Sequence, residues 1–160
     1  MISLKNRNMI KILFVCLGNI CRSPMAEMIL KSMVESRGVA DRFYINSAAT
    51  STEEIGNGIY PNTKAVLKKN GIPFTEHYST RITRDDYNRY DYIICMETSN
   101  IYRVKAIVGE DREHKVYRLM DFTDNPYDID DPWYHRDFDK TYREITFGCE
   151  KLLEKLIDGE

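Results

Sequence analysis

The sequence predicts a single α/β domain in which a four-stranded parallel sheet carries helices on both faces. Short apolar runs of strand length alternate with amphipathic stretches of helical length, the pattern of crossover-connected parallel strands. The last long stretch has an apolar stripe broad enough to cover one face of such a sheet. The 160 residues suffice for one domain, and a fold of that size buries about 70% of its unfolded surface without covalent staples.

Each element has its own signal. Ile10, Ile12, Leu13, Phe14 and Val15 form an apolar run suited to a buried strand. Ser23 is expected to cap a helix running to Arg37, with Pro24 at its first position and Glu27 in its first turn. Ala26, Ile29, Leu30 and Met33 make its apolar stripe, and Gly38 stops it. Phe43 to Asn46 reads as a second strand. Asn62 to Asn70 reads as a helix ended by Gly71 and Pro73. Tyr92 to Met96 is a third, buried strand, Ser99 to Val108 a helix, and Val116 and Tyr117 mark a fourth strand. Phe138, Tyr142, Ile145, Cys149, Leu152 and Leu156 follow at alternating steps of four and three. Gly148 is a weak point in that last helix. Residues 1–9 are expected to be an N-terminal extension, and 10–160 the domain.

Composition narrows the function classes. Apolar content of 42% and charged content of 30% suit a soluble globular protein. Basic residues number 23 and acidic residues 25, with no block of like charge, so neither a nucleic acid nor a membrane is expected as a partner. Neither a signal peptide nor a membrane span is expected, since Met1 to Asn8 is polar and the apolar run after it is far too short to span a bilayer. Cys16, Cys21, Cys95 and Cys149 are irregularly spaced, which points to a reducing, cytoplasmic compartment. No metal or cofactor is expected. The cysteines lack a second ligand pair, His77, His114 and His135 are single, and Asp124 to Asp131 lacks the glycine and glutamate of a calcium loop.

The chemistry lies in Val15-Cys16-Leu17-Gly18-Asn19-Ile20-Cys21-Arg22-Ser23-Pro24. Five residues separate Cys16 from Arg22, enough to loop from a strand end onto a helix N-terminus. Amides of such a loop, from Leu17 through Ile20 and Cys21, turn inward, and the helix dipole adds positive charge, so a phosphate fits there. Gly18 is expected to supply a positive φ and a close backbone approach. That field favours a thiolate at Cys16, the nucleophilic form of the side chain. Arg22 offers a planar fork to two phosphoryl oxygens, and the Ser23 hydroxyl can donate to the sulfur as it departs. With one glycine and no lysine in the required place, the loop is not of the nucleotide-binding type. Cys16, Arg22 and this geometry point to a cysteine-dependent phosphatase.

A second segment supplies what that chemistry lacks. Asp130-Asp131-Pro132-Trp133-Tyr134 falls in a loop between the fourth strand and the last helix. One carboxyl can protonate a leaving phenolate and then activate water against the phosphocysteine. Pro132 stiffens the turn. Trp133 and Tyr134 can wall a phenyl ring, at about 0.5–1.5 kcal/mol per aromatic pair beyond burial.

From about Lys11 to Ile157 the chain resembles the low-molecular-weight protein tyrosine phosphatases. Three motifs carry the resemblance: residues 15–24, Ser47-Ala48-Ala49-Thr50-Ser51 with Ile55-Gly56-Asn57, and Asp131-Pro132-Trp133-Tyr134. The resemblance implies Cys16 as nucleophile, Arg22 as phosphate ligand, and Asp131 as general acid and then base. It implies that Asn19, Ser47 and His77 support the loop and that Leu17, Trp133 and Tyr134 contact substrate. It also implies phosphotyrosine proteins or peptides as substrates and inorganic phosphate as product, and a monomer is expected. Glu97 stands where members often carry aspartate. The segment Phe74 to Arg81 is shifted by one residue, and Trp133 replaces a tyrosine common in animal members. Cys21 is close enough in sequence to trap an oxidised Cys16 as a disulfide. Two other readings remain at this point: an arsenate reductase of the same fold, and a phosphotyrosine-binding module without turnover.

Overall fold

Alternation along the first strand sorts the core into two layers. The computed structural model describes residues 9–158, so the expected extension 1–9 lies outside the described residues except for Met9. Strand β1 (Ile10–Cys16) sends Ile12 and Phe14 to one face and Leu13 and Val15 to the other, as a period of two requires. The Ile12 side packs on helix α1 (Arg22–Ser36) and helix α6 (Phe138–Asp158). The Leu13 side packs on Ile93 and Cys95 of strand β3 (Tyr92–Cys95) and on Val104 and Val108 of helix α4 (Thr98–Val108). Each face of the sheet is therefore covered, as an all-parallel sheet demands.

The sheet has four parallel strands in the order β2-β1-β3-β4, with β2 at Phe43–Ala49 and β4 at Val116–Arg118. Cys16 pairs with Ala49 on one side and Val15 with Cys95 on the other. The crossover after β1 leads to β2 on one side and the next returns past β1 to β3 on the other, so the carboxyl end of β1 lies at the switch point where such sheets bind ligands. Helix α2 (Pro61–Lys69) and the single turn α3 (Asp86–Arg89) complete the connections before β3. No helix among the described residues is long and apolar enough to cross a membrane.

Four expectations need correction. Helix α1 begins at Arg22 with Cys21 at its N-cap, so Ser23 lies inside the helix and does not cap it. Glu27 consequently falls beyond the first turn, which holds no acidic residue. The stretch Pro132–His135 is a short helix, α5, where a loop was expected, because Asp131 caps it. Strand β2 runs on through Ser47, Ala48 and Ala49, since these small residues pair with the end of β1.

Gly148 also proves to be a close-packing position. A Cβ there would sit 2.6 Å from Leu119 Cγ and 3.1 Å from Met120 Sδ, both on the buried 3-10 turn Leu119–Phe122. Gly148→Ala gains about 1 kcal/mol of helix propensity, but overpacking of this kind costs about 1–3 kcal/mol. The substitution should lower the urea unfolding midpoint without changing the slope. A raised midpoint would show that Leu119 can move aside.

Candidate active site

Cys16 closes β1, and the chain reaches α1 six residues later, at Arg22. The turn is made by Asn19, whose φ of 59° is left-handed, a conformation that asparagine tolerates better than most residues. Gly18, expected to supply that positive φ, is absent from the left-handed residues. Its role is steric: a Cβ would meet Glu54 Cγ at 3.3 Å. Neighbouring segments fix the loop from outside. Thr50 N–H donates to the Cys16 carbonyl at 3.0 Å, Ser51 N–H to that of Leu17 at 3.1 Å, and Tyr60 N–H to that of Ile20 at 2.9 Å. Ser79 Oγ donates to the carbonyl of Gly18 at 2.8 Å.

The hydrogen inventory of Asn19 sets the direction of the bonds behind the sulfur. Its Nδ2 gives its two hydrogens to Ser23 Oγ at 2.8 Å and Ser47 Oγ at 3.0 Å. Both hydroxyls thus accept from Asn19 and are free to donate elsewhere. Ser47 donates to Glu27 Oε1 at 2.6 Å. Ser23 is left to donate to Cys16 Sγ, 3.0 Å away, and the backbone N–H of Asn19 reaches the same sulfur at 3.3 Å. Asn19 Oδ1 can only accept, so His77 Nε2 donates to it at 2.8 Å. The structure thereby brings Asn19, Ser23, Ser47 and His77 into one network. Glu27, which sequence reasoning missed, is its far end. Glu27 is buried, bonds Lys31 Nζ at 2.6 Å, and lies 3.6 Å from His77 Nδ1. The available signal was a glutamate inside a helical run too apolar to leave it a wet face.

Arg22 is buried with its guanidinium fixed on three sides. Nη1 pairs with Glu97 Oε2 and donates to the Ile129 carbonyl at 2.7 Å, and Nη2 lies 3.6 Å from Asp131 Oδ2. Burial opposes the cation, but the negative charges of Cys16, Glu97 and Asp131 outweigh it and hold the Arg22 pKa above its ordinary value. Glu97 reaches because it opens α4, where Asn100 Oδ1 accepts from the N–H groups of Met96 and Glu97 at 3.1 Å each. Ser99 Oγ holds its other oxygen at 2.7 Å. Asp131 divides its carboxylate: Oδ1 accepts from Trp133 N–H at 3.0 Å, leaving Oδ2 to face Arg22.

Cys16, Leu17, Gly18, Asn19, Ile20, Cys21 and Arg22 line one cleft with Asp131, Trp133 and Tyr134. Glu53 and Glu54 line it too and were not anticipated. Trp133 is 46% and Tyr134 78% exposed, so both rings offer apolar surface at the mouth. Ser23, Ser47 and His77 do not line the cleft; they stand behind the loop. Cys21 is buried, and burial first, then the Cys16 charge, pushes its thiol up to about 12.

A sulfur-floored oxyanion cradle, a buried arginine and a facing carboxylate at the switch point of a doubly wound sheet define a class of site made for phosphoryl groups. Residues 11–159 match the family described as low molecular weight phosphotyrosine protein phosphatase. The low molecular weight protein-tyrosine-phosphatase YfkJ of Bacillus subtilis is 35% identical over 92% of this chain and 96% of its own. The low molecular weight phosphotyrosine protein phosphatase of Gallus gallus is 38% identical over 90% and 94%. The crystal structure of YfkJ superposes with a TM-score of 0.91, covering 95% of this chain and 97% of that one at 34% identity. That of the Streptococcus pyogenes low molecular weight protein tyrosine phosphatase gives 0.83, covering 92% and 93% at 40% identity. The chain belongs to the low molecular weight phosphotyrosine protein phosphatase family.

Burial pushes the His77 imidazole below its ordinary 6.5, against the pull of Glu27 and with the push of Lys31. The unfolded chain takes up this proton near 6.5, the folded chain only at lower pH. Between those values the unfolded state binds more protons, so stability drops as the pH falls through that window. Urea titrations at about pH 7 and about pH 5 should show a larger loss for wild type than for His77→Gln. Equal losses would remove His77 as the cause.

Proposed function

We propose that this protein hydrolyses phosphotyrosine in proteins or peptides, and small aryl phosphates, through a phosphocysteine intermediate on Cys16. The observation that carries the reading is Cys16 Sγ, with Ser23 Oγ at 3.0 Å and Asn19 N–H at 3.3 Å, on the floor of a cleft shared with Arg22 and Asp131. These donors suit a sulfur anion. The thiolate attacks phosphorus, a P–S bond forms, and the bond from phosphorus to the phenolic oxygen breaks. Asp131 gives its proton to the departing oxygen. Water then attacks phosphorus, Asp131 takes a proton from it, and the P–S bond breaks as the Ser23 hydroxyl supports the leaving thiolate. Inorganic phosphate is the product. Arg22 and the amides of the loop from Leu17 through Gly18, Asn19, Ile20 and Cys21 hold the equatorial oxygens throughout.

Leu17, Trp133 and Tyr134 flank the substrate ring in this reading, and the exposure of the two aromatics supports it. Asn19, Ser47 and His77 keep the loop in shape. We read the protein as a cytoplasmic monomer with neither a nucleic-acid nor a membrane partner. All four cysteines are free, which fits a reducing compartment. Arsenate reduction has less support, because Cys95 and Cys149 are fully buried in a strand and a helix and, unlike Cys21, do not line the cleft.

Hydrolysis of 4-nitrophenyl phosphate should vanish in Cys16→Ser and fall about a hundredfold in Asp131→Asn. A folded wild type without turnover would leave phosphate binding alone. Cys21 is proposed as the trap for oxidised Cys16: its thiol condenses with a Cys16 sulfenic acid, releasing water and forming a disulfide. Thiol reductant should therefore restore more activity to peroxide-treated wild type than to Cys21→Ser. Equal irreversible loss in both would sink that role.

A further inference from the structure

We infer that Arg136 is a positioning residue that locks the Asp131 segment to the phosphate-binding loop through Tyr60. The inference rests on Asp131 being the general acid. It starts from a weakness: α5 is four residues long, too short to hold its shape alone, yet it carries Asp131 at its N-cap. The entry to this turn is secured by Ile129, which is fully buried. Its N–H donates to the Met96 carbonyl at 3.0 Å, and its own carbonyl accepts from Arg22.

The exit is secured differently. Arg136 follows α5 with φ 64°, a left-handed cap where glycine is the usual residue, and its N–H donates to the Pro132 carbonyl at 2.8 Å. That conformation turns its side chain back over the turn it has just ended. Nη1 donates to the Trp133 carbonyl at 3.4 Å and Nη2 to Tyr60 Oη at 3.0 Å. The guanidinium carbon lies 5.4 Å from the Tyr60 ring, 5.7 Å from Trp133 and 5.4 Å from Phe138. The rings also meet each other, Tyr60 edge-on to Trp133 at 5.0 Å and stacked on Phe138 at 5.8 Å. A planar cation with a donor fork suits this place, and a lysine would not span both acceptors.

The contacts close a ring around the cleft. Tyr60 N–H holds the Ile20 carbonyl of the phosphate loop, Tyr60 Oη holds Arg136, and Arg136 holds Trp133. Trp133 N–H in turn holds Asp131 Oδ1, whose partner oxygen faces Arg22. A shift of Trp133 therefore moves the carboxyl relative to the phosphoryl site. Misplacing a catalytic group by about 1 Å can cost about a hundredfold.

Leaving groups provide the test. Phenyl phosphate needs a proton on its departing oxygen far more than 4-nitrophenyl phosphate does. In Arg136→Ala, kcat/KM should fall about tenfold on phenyl phosphate and about twofold or less on 4-nitrophenyl phosphate. Tyr60→Phe, which keeps the ring and removes only the hydroxyl, should show the same bias to a smaller degree. Inhibition by inorganic phosphate should be unchanged in both, because neither side chain belongs to the oxyanion cradle. In an Asp131→Asn background, Arg136→Ala should cost nothing further. Equal losses on the two substrates, weakened phosphate inhibition, or a full additional loss in that background would overturn the inference. If Asp131→Asn alone shows no leaving-group bias, the general-acid reading fails first and takes this inference with it.

Discussion

A backbone that must face an anion with its own amides cannot bond to itself, and the rest of the structure depends on that constraint. From Cys16 through Ile20, before the Cys21 carbonyl accepts the first helical bond from Met25 N–H at 3.1 Å, no helix or named strand takes up the carbonyls of the chain. Those carbonyls are taken up instead by Thr50, Ser51, Tyr60 and Ser79, donors that arrive from three segments distant in sequence. The left-handed Asn19 would be strained in isolation. It is held because both ends of its side chain are occupied, by hydroxyls at the amide and by His77 at the carbonyl oxygen. The sheet supplies the rigid base: β1 is a central strand flanked by β2 and β3, so the loop leaves from a strand end supported on both sides.

Buried charge follows the same logic. Arg22 and Glu27 are buried and Glu97 and Asp131 partly so, each would be costly without a partner, and each is paired or hydrogen-bonded. The arginine is the central case. Glu97 comes from the start of α4 and the Ile129 carbonyl from the approach to α5, so two connections after different strands converge on one guanidinium. Its orientation is fixed before any ligand arrives, which is the condition for electrostatic stabilisation without reorganisation.

Much of this was legible in the sequence where the signal is local. The run at β1, the stripe of α6, and the Cys16-to-Arg22 spacing all depend on residues near one another in the chain. Asp131 was legible as a candidate, but its short helix was not, because four residues carry no periodicity and the turn is held by its caps, Asp131 at one end and the left-handed Arg136 at the other. Ser23 misled for a related reason. A serine before a proline at the start of a helix reads as a cap, yet its hydroxyl is claimed by Asn19 and Cys16. Glu27 and Gly148 were misjudged because their meaning lies in what packs against them: Ser47 and Lys31 in one case, Leu119 in the other. No spacing rule reports a partner that arrives from another element.

The amide of Asn19 has one more consequence. An aspartate at that position would fill the same volume and reach the same atoms, but it would bring no hydrogen. Ser23 and Ser47 would then turn their own protons toward it, away from Cys16 and Glu27, and every hydroxyl in the chain would point backwards. Two hydrogens, invisible in the outline of the side chain, separate a loop wired toward its sulfur from one of the same shape wired away from it.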